Sequence, residues 1–387
     1  MSRIDELINR YAPNGVQHKR LGDAGTLYNG LTGKSKADFS GGNARYASYM
    51  NVYTNVAVDV SPNDRVQVGE EERQNRVRYG DVLFTASSEN VGEVGLASAV
   101  TEEPPAPLFL NSFCFGFRPS STDLDPAFCK YLFRSAALRS QIVRTANGVT
   151  RINISKERFR EIKIPVPHPQ IQLEIVTILD AFTNLVAALE AELRARKQQY
   201  AHYRDALLAF DSSVARVTID ELTVSVASGR NKSRVDQGAY PVYGSTGRIG
   251  FTDTPAYSGD AILVARVGAN AGRVAAVSSD YDVTDNTLVV SPSSRWSTRF
   301  AFHQLTHMNL NQYAVGGGQP LITGGLLKRL DVSLPSIDEQ ARIADVLDKF
   351  DALVNDSTSG LPAEIEMRRQ QYAYYRDRLL TFEEAPA

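Results

Sequence analysis

Gly33-Lys34-Ser35 ends like a phosphate-binding loop, in which a lysine and a hydroxyl hold nucleotide phosphates and Mg2+. The earlier glycine that such a loop needs is Tyr28, so the triplet is not a nucleotide site. His303 and His307 stand four residues apart, as zinc ligands on one helix face do. Gln304 occupies the place of a general-base glutamate and no third ligand is evident, so two surface histidines and no metal are expected. Cys114, between Phe113 and Phe115, reads as a core residue. With Cys129 it makes up the whole thiol complement, which excludes a disulfide framework and suits a reducing, cytoplasmic setting. The chain has no Asn/Asp-Pro-Pro-aromatic motif, no glycine-rich S-adenosylmethionine loop and no nuclease core of spaced acids with a lysine. No catalytic residue is expected in it.

What remains is recognition by loops, and loops need a frame. At 387 residues, 43% hydrophobic and 22% charged, two or three domains with real cores are expected. Net charge is −2, so any nucleic-acid binding must come from local patches rather than bulk charge. No run of about 18 apolar residues is apparent, and no membrane partner is expected.

The frame is a duplication. Arg196–Phe210, RKQQYAHYRDALLAF, returns as RRQQYAYYRDRLLTF at Arg368–Phe382. Upstream, Gln172, Ile175, Leu179, Asp180 and Phe182 recur 168 residues later as Gln340, Ile343, Leu347, Asp348 and Phe350. The same spacing joins Pro167 to Pro335 and Gly148 to Gly316, and it becomes 172 in the second helical block. Asp5, Leu7 and Ile8 match Asp205, Leu207 and Leu208, so the chain starts with a copy of the end of the repeated helix. The order is residues 1–165 (globule, with a helical stub at 1–12), 166–210 (helix), 211–333 (globule) and 334–387 (helix).

Both helical blocks carry apolar residues at alternating steps of three and four, which predicts a coiled-coil seam. Its packing residues are Phe182, Tyr200, Tyr203, Phe350, Tyr372 and Tyr375. The first block makes a helix of about 58 Å. In the second, Ser357-Thr358-Ser359-Gly360-Leu361-Pro362 predicts a break, with Pro362 in the first turn of a restarted helix. The globules, with short β-branched and aromatic runs between Gly, Asn and Ser, predict α+β domains.

The segments YPVYGSTGRIGF and GDAILVARVGANAGRV resemble a recognition domain of type I restriction–modification specificity subunits. EQARIADVLDKFDALV and RRQQYAYYRDRLLTF resemble that family's helical regions, and the likeness runs the length of the chain in the family's order. The resemblance implies an α+β protein with two pseudo-symmetric target-recognition domains separated by a long antiparallel two-helix coiled coil. It implies a non-catalytic subunit that reads an asymmetric bipartite site in double-stranded DNA. Two methyltransferase subunits would be its partners, holding S-adenosylmethionine, and motor–nuclease restriction subunits would bring ATP and Mg.

Base edges are read by Arg or Lys at guanine, by Asn or Gln at adenine, and by Ser or Thr more permissively. In the first domain these chemistries fall at Lys34, Lys36, Arg45, Tyr46, Ser87, Ser88, Asn90 and Arg151. In the second they fall at Tyr243, Ser245, Thr246, Arg248, Arg266, Asn270, Arg273 and Gln319. Arg151 and Gln319 hold the same place in the repeat. The plainer reading of each is a solvated loop residue or a strand-end cap. Two other functions fit parts of the pattern: a coiled-coil scaffold pairing two proteins without DNA, and a stand-alone enzyme, which the missing motifs oppose.

Overall fold

A computed structural model describes residues 3–316 and 318–386. Met1 and Ser2 of the stub, Gly317 of the 316–318 glycine run, and Ala387 lie outside them. The chain forms two compact units, Met1–Ala188 with Glu366–Ala387, and Leu189–Ile365.

In the first unit an antiparallel four-stranded sheet runs in the order Gly25–Asn29, Cys114–Pro119, Val82–Thr85, Ala97–Ala99. Val82–Thr85 is buried on both faces, as a continuous apolar run dictates. Val82 and Phe84 join a helix-side core with Phe115, Phe128, Phe133 and Phe159. Leu83 faces the other way, into a core with Ala47, Leu108 and Leu110 of a second, smaller sheet. That sheet (Arg65–Val66, Ala44–Ala47, Leu108–Leu110) contains one parallel pair.

The second unit repeats this plan. Its main sheet is Thr223–Ser228, Thr287–Pro292, Ala261–Ala265, Val274–Val277. Ile262 and Val264 face a helix-side core containing Trp296 and Phe300, while Ala261 and Leu263 face Tyr281 and Val283 of the second sheet. There too one pair, Tyr240–Gly244 with Asp280–Val283, is parallel. Each domain also closes on itself: His18–Arg20 pairs with Lys163–Pro165, and Arg216–Thr218 with Asp331–Ser333.

Three helices carry the repeated blocks: α1 (Pro169–Leu207), α2 (Ile337–Asn355) and α3 (Leu361–Leu379). The chain breaks between α2 and α3 at Gly360, where a Cβ would lie 2.5 Å from the Ala352 carbonyl. α1 has a stretch of mean hydropathy 1.5, long and apolar enough to cross a membrane. The stretch is not an uninterrupted apolar run, since Gln172, Glu174, Asp180 and Asn184 punctuate it. In the first unit Ile171, Ile175 and Leu179 of that helix are fully buried in the phenylalanine core.

Within each unit, the beginning of one helical block meets the end of the other. Phe182 stacks on Tyr375 in the first unit at 5.4 Å and 21°, and Phe350 on Tyr203 in the second at 5.4 Å and 23°. Gln172 and Gln340, both 1% exposed, clasp their domains identically. The Gln172 amide donates to Asp123 O and Pro167 O and accepts from Asp125 N. Gln340 donates to Arg295 O and Pro335 O and accepts from Ser297 N.

One pair of anchors differs. Asp180 takes the Lys130 ammonium (2.6 Å) and the Tyr131 hydroxyl, and Tyr131 lies edge-on to Tyr372. Asp348 instead takes Arg299 (2.5 Å) and His303 Nε2 (2.6 Å), whose Nδ1 meets the Tyr200 hydroxyl at 3.3 Å. His303 is therefore completely buried, against the expectation of a surface residue. The expectation failed because Asp348, 45 residues away, satisfies the ring. His307 is half-exposed beside Asp205.

Burial holds the His303 pKa below its ordinary value, against the opposing pull of the Asp348 carboxylate. The unfolded chain protonates this ring near pH 6.5, before the folded chain does. Stability contributed here is thus complete above that pH and falls as the pH drops through it toward the folded pKa. Thermal melts from pH 7.5 to 5.5 should show this loss, and His303→Gln should flatten it. Equal pH dependence in both proteins would refute the assignment.

Candidate nucleic-acid interface

In the first domain a hairpin, Ala146–Asn147 with Ile152–Ile154, is laid on Ser87–Ser88, with Asn153 opposite Ser87. Gly148 closes it at φ +115, where a Cβ would come within 2.1 Å of Arg151 O. Two arginines brace the platform. Arg158 donates to Thr145 O (2.9 Å), and Arg139 to the carbonyls of Gly95 (2.5 Å), Val94 (2.9 Å) and Gly92 (3.1 Å). Burial, then the neighbouring Arg134, lowers the Arg139 pKa to about 10, so it still carries its charge at neutral pH.

Four predicted residues meet on this platform. Arg151 donates to Ser87 Oγ (3.2 Å) and covers the Phe113 ring at 5.0 Å. Ser88 donates to Glu93 (3.0 Å), and Asn90 Oδ1 accepts from Gly92 N (2.9 Å), so these two shape the loop. Arg151 is exposed, beside Phe113 and a hairpin tip where Val149 is 96% exposed. Sequence reasoning missed both apolar residues, for which an isolated Val or Phe gives no signal.

The other four lie elsewhere in this domain. Lys34 is committed to Glu72 at 2.5 Å with its side chain 5% exposed, which leaves it unavailable to a phosphate in this conformation. Lys36 is exposed at the start of a short 3-10 turn. Arg45 and Tyr46 lie on Ala44–Ala47, with Tyr46 edge-on to Phe39 at 5.0 Å. Burial, then Asp64, raises the Tyr46 pKa, so its hydroxyl stays protonated.

The second domain builds the same platform from different side chains. Val267 pairs with Leu321, the counterparts of Ser87 and Asn153. Ile322 N donates to Arg266 O (2.8 Å), Gly268 N to Pro320 O (3.0 Å) and Val315 N to Leu321 O (3.0 Å), beside exposed Gln319. Arg266 is half-buried, its Nη1 bound to Ser228 Oγ (2.7 Å) and Asp285 O (2.9 Å). Arg273 Nη1 reaches Thr246 O (3.0 Å), drawing the 245–246 turn to this side, and Asn270 precedes it on a 3-10 turn. Tyr243 meets Tyr281 edge-on at 6.2 Å, and Arg248 lies over Phe251 at 5.3 Å on the adjoining hairpin.

Arg230, Lys232 and Arg234 are exposed just after Ser228 and were also missed. Their alternation with Asn231 and Ser233 was the available signal. The two platforms can thus present hydrogen-bonding and cationic groups on rigid loops, and they differ at Ser87/Val267, Ser88/Gly268 and Arg151/Gln319 while sharing Asn90/Asn270.

Residues 13–196 and 224–367 match the family model described as the type I restriction modification DNA specificity domain. The chain is 37% identical over 227 residues to the specificity subunit of the type I restriction enzyme EcoprrI of Escherichia coli, covering 53% of this chain and 56% of that protein. It is 33% identical over 259 residues to the EcoR124I/EcoR124II specificity subunit of the same species, covering 58% and 64%. The chain therefore spans less than two thirds of the length of these relatives. Among solved structures, the S subunit of a type I restriction–modification system from M. genitalium superposes with a TM-score of 0.59 at 15% identity, covering 94% of this chain and 96% of that one. A chain from a study of complex assembly and conformational transition in the type I R-M system gives 0.61 at 16%, covering 95% and 98%. At such identities the likeness is one of fold.

Proposed function

The chain belongs to the type I restriction modification DNA specificity family, and from that premise we propose that it reads an asymmetric bipartite site in double-stranded DNA. Each α+β domain takes one half-site through its hairpin platform. Gln319 and Arg273 are the leading base readers of the second domain, and Arg151 of the first. α1 and the α2–α3 pair run antiparallel as a coiled-coil spacer that fixes the unread gap. Two methyltransferase subunits assemble on the chain and methylate adenine with S-adenosylmethionine, and motor–nuclease subunits that use ATP and Mg join them. The chain itself positions and does not catalyse, and it works in the cytoplasm.

One observation supports this reading above others: a platform with one backbone plan carries Ser87, Ser88 and Arg151 in one domain and Val267, Gly268 and Gln319 in the other. Equal frames with unequal side chains suit two different half-sites.

Mapping of methylated bases in cells expressing the chain with its methyltransferase should give a split, non-palindromic motif. A continuous palindrome would sink the proposal. In the same assay Gln319→Ala should relax one base of one half-site, by about 1–3 kcal/mol of discrimination. Uniform loss across all sequences would mean that it touches only phosphate.

A further inference from the structure

Arg45 and Arg65 stand directly opposite each other across the antiparallel pair of Ala44–Ala47 with Arg65–Val66. Like charges in that position destabilise a sheet. Together with Arg73 and Arg76 they line a groove of about 360 Å3 in the first domain. Among the described residues none of the four forms an ion pair. Of the carboxylates lining the groove, Glu72 is held by Lys34 (2.5 Å) and Gly69 N (2.8 Å), leaving Glu70 to oppose four guanidinium groups.

The two amides of the groove are not free to read adenine. Asn43 spends both ends of its amide on Val68, donating to its O and accepting from its N, each at 2.9 Å. Gln74 does the same with Thr32, donating to O (2.8 Å) and accepting from N (3.1 Å). Guanidinium forks match phosphate oxygens. These four are spread over two strands and the segment that follows, which suits a linear polyanion better than one small anion.

We propose that this groove seats the phosphodiester backbone of the duplex, setting the register of the first domain without reading sequence. The proposal rests on the DNA-binding function above and removes Arg45 from the base readers. The test uses the Arg45→Gln/Arg65→Gln double variant, assembled with the methyltransferase partner. Its affinity would be titrated between 50 and 300 mM salt for a duplex carrying the methylated motif and for a scrambled one.

Each lost phosphate contact should cost about eight-fold at 0.1 M salt and lower the salt slope by about 0.9. The double variant should therefore bind both duplexes roughly 60-fold more weakly, with the slope reduced by about 1.8. The methylated motif should stay the same, and the melting temperature should hold or rise as the like-charge pair disappears. An unchanged slope would overturn the proposal, as would weakening confined to the cognate duplex, or loss of the methyltransferase itself. Calorimetric titration with inorganic phosphate separates the sources: saturable phosphate binding lost in the variant, with DNA affinity intact, would make this a small-anion site instead. Failure of the unmodified complex to bind either duplex would overturn the underlying function along with the groove.

Discussion

Exchange of residues 16–165 for the same segment of another family member should replace one half of the methylated motif and leave the other half and the gap unchanged. The ends of the segment lie side by side, because His18 pairs with Pro165. The domain between them contains its own four sheets. Part of its attachment to α1 and α3 runs through main-chain atoms: Gln172 grips Asp123 O and Asp125 N, and Asp377 of α3 accepts from Ala136 N at 2.9 Å. A foreign domain with the same turns offers the same atoms. Each base pair read is worth about 1–3 kcal/mol, so the old half-site should lose nearly all its methylation. Changes in both halves would show that the two readers are not independent.

Gln340→Leu should destabilise the second unit by about 3 kcal/mol or more. The side chain keeps nearly the same volume, but one N–H and two carbonyls around a 1%-exposed position lose their partner. Each such orphaned group costs about 1–3 kcal/mol. Against a total stability of roughly 5–15 kcal/mol, the melting temperature should fall by roughly 10 °C. Gln172→Leu should do the same to the first unit, and hydrogen exchange would show which unit has opened. A loss below about 1 kcal/mol in both variants would mean that water replaces the clasp.

Where the sequence was legible, it was because a contact had been written twice. Phe182 and Phe350, Gln172 and Gln340, and Tyr203 and Tyr375 stand at matching positions in both copies, and both copies use them alike. The alternating burial of Val82-Leu83-Phe84 was equally open to reading, since apolar runs of that length form inner strands. Contacts made once, between distant residues, were not. Nothing local marks Glu72 as the partner of Lys34, or Asp348 as that of His303. The arginines at 65, 73 and 76 sit among glutamates in sequence, and only the fold sets them in one groove. Arg266 looked like a free loop cation because Ser228 and the Asp285 carbonyl reach it from other strands.

The first unit is discontinuous, made of Met1–Ala188 with Glu366–Ala387, whereas the second is the single stretch Leu189–Ile365. On the ribosome this inverts the usual order of completion. The earlier half emerges first, yet Val16 finds its main-chain partners at Glu383 and Ala385, and Ala136 its acceptor at Asp377, only after the whole of the second unit has been made. At about 5–20 residues per second, the wait after Ala188 is roughly 10–40 s. During that interval the part of α1 around Phe182, which Tyr375 covers in the finished unit, is the exposed surface a chaperone or protease would meet.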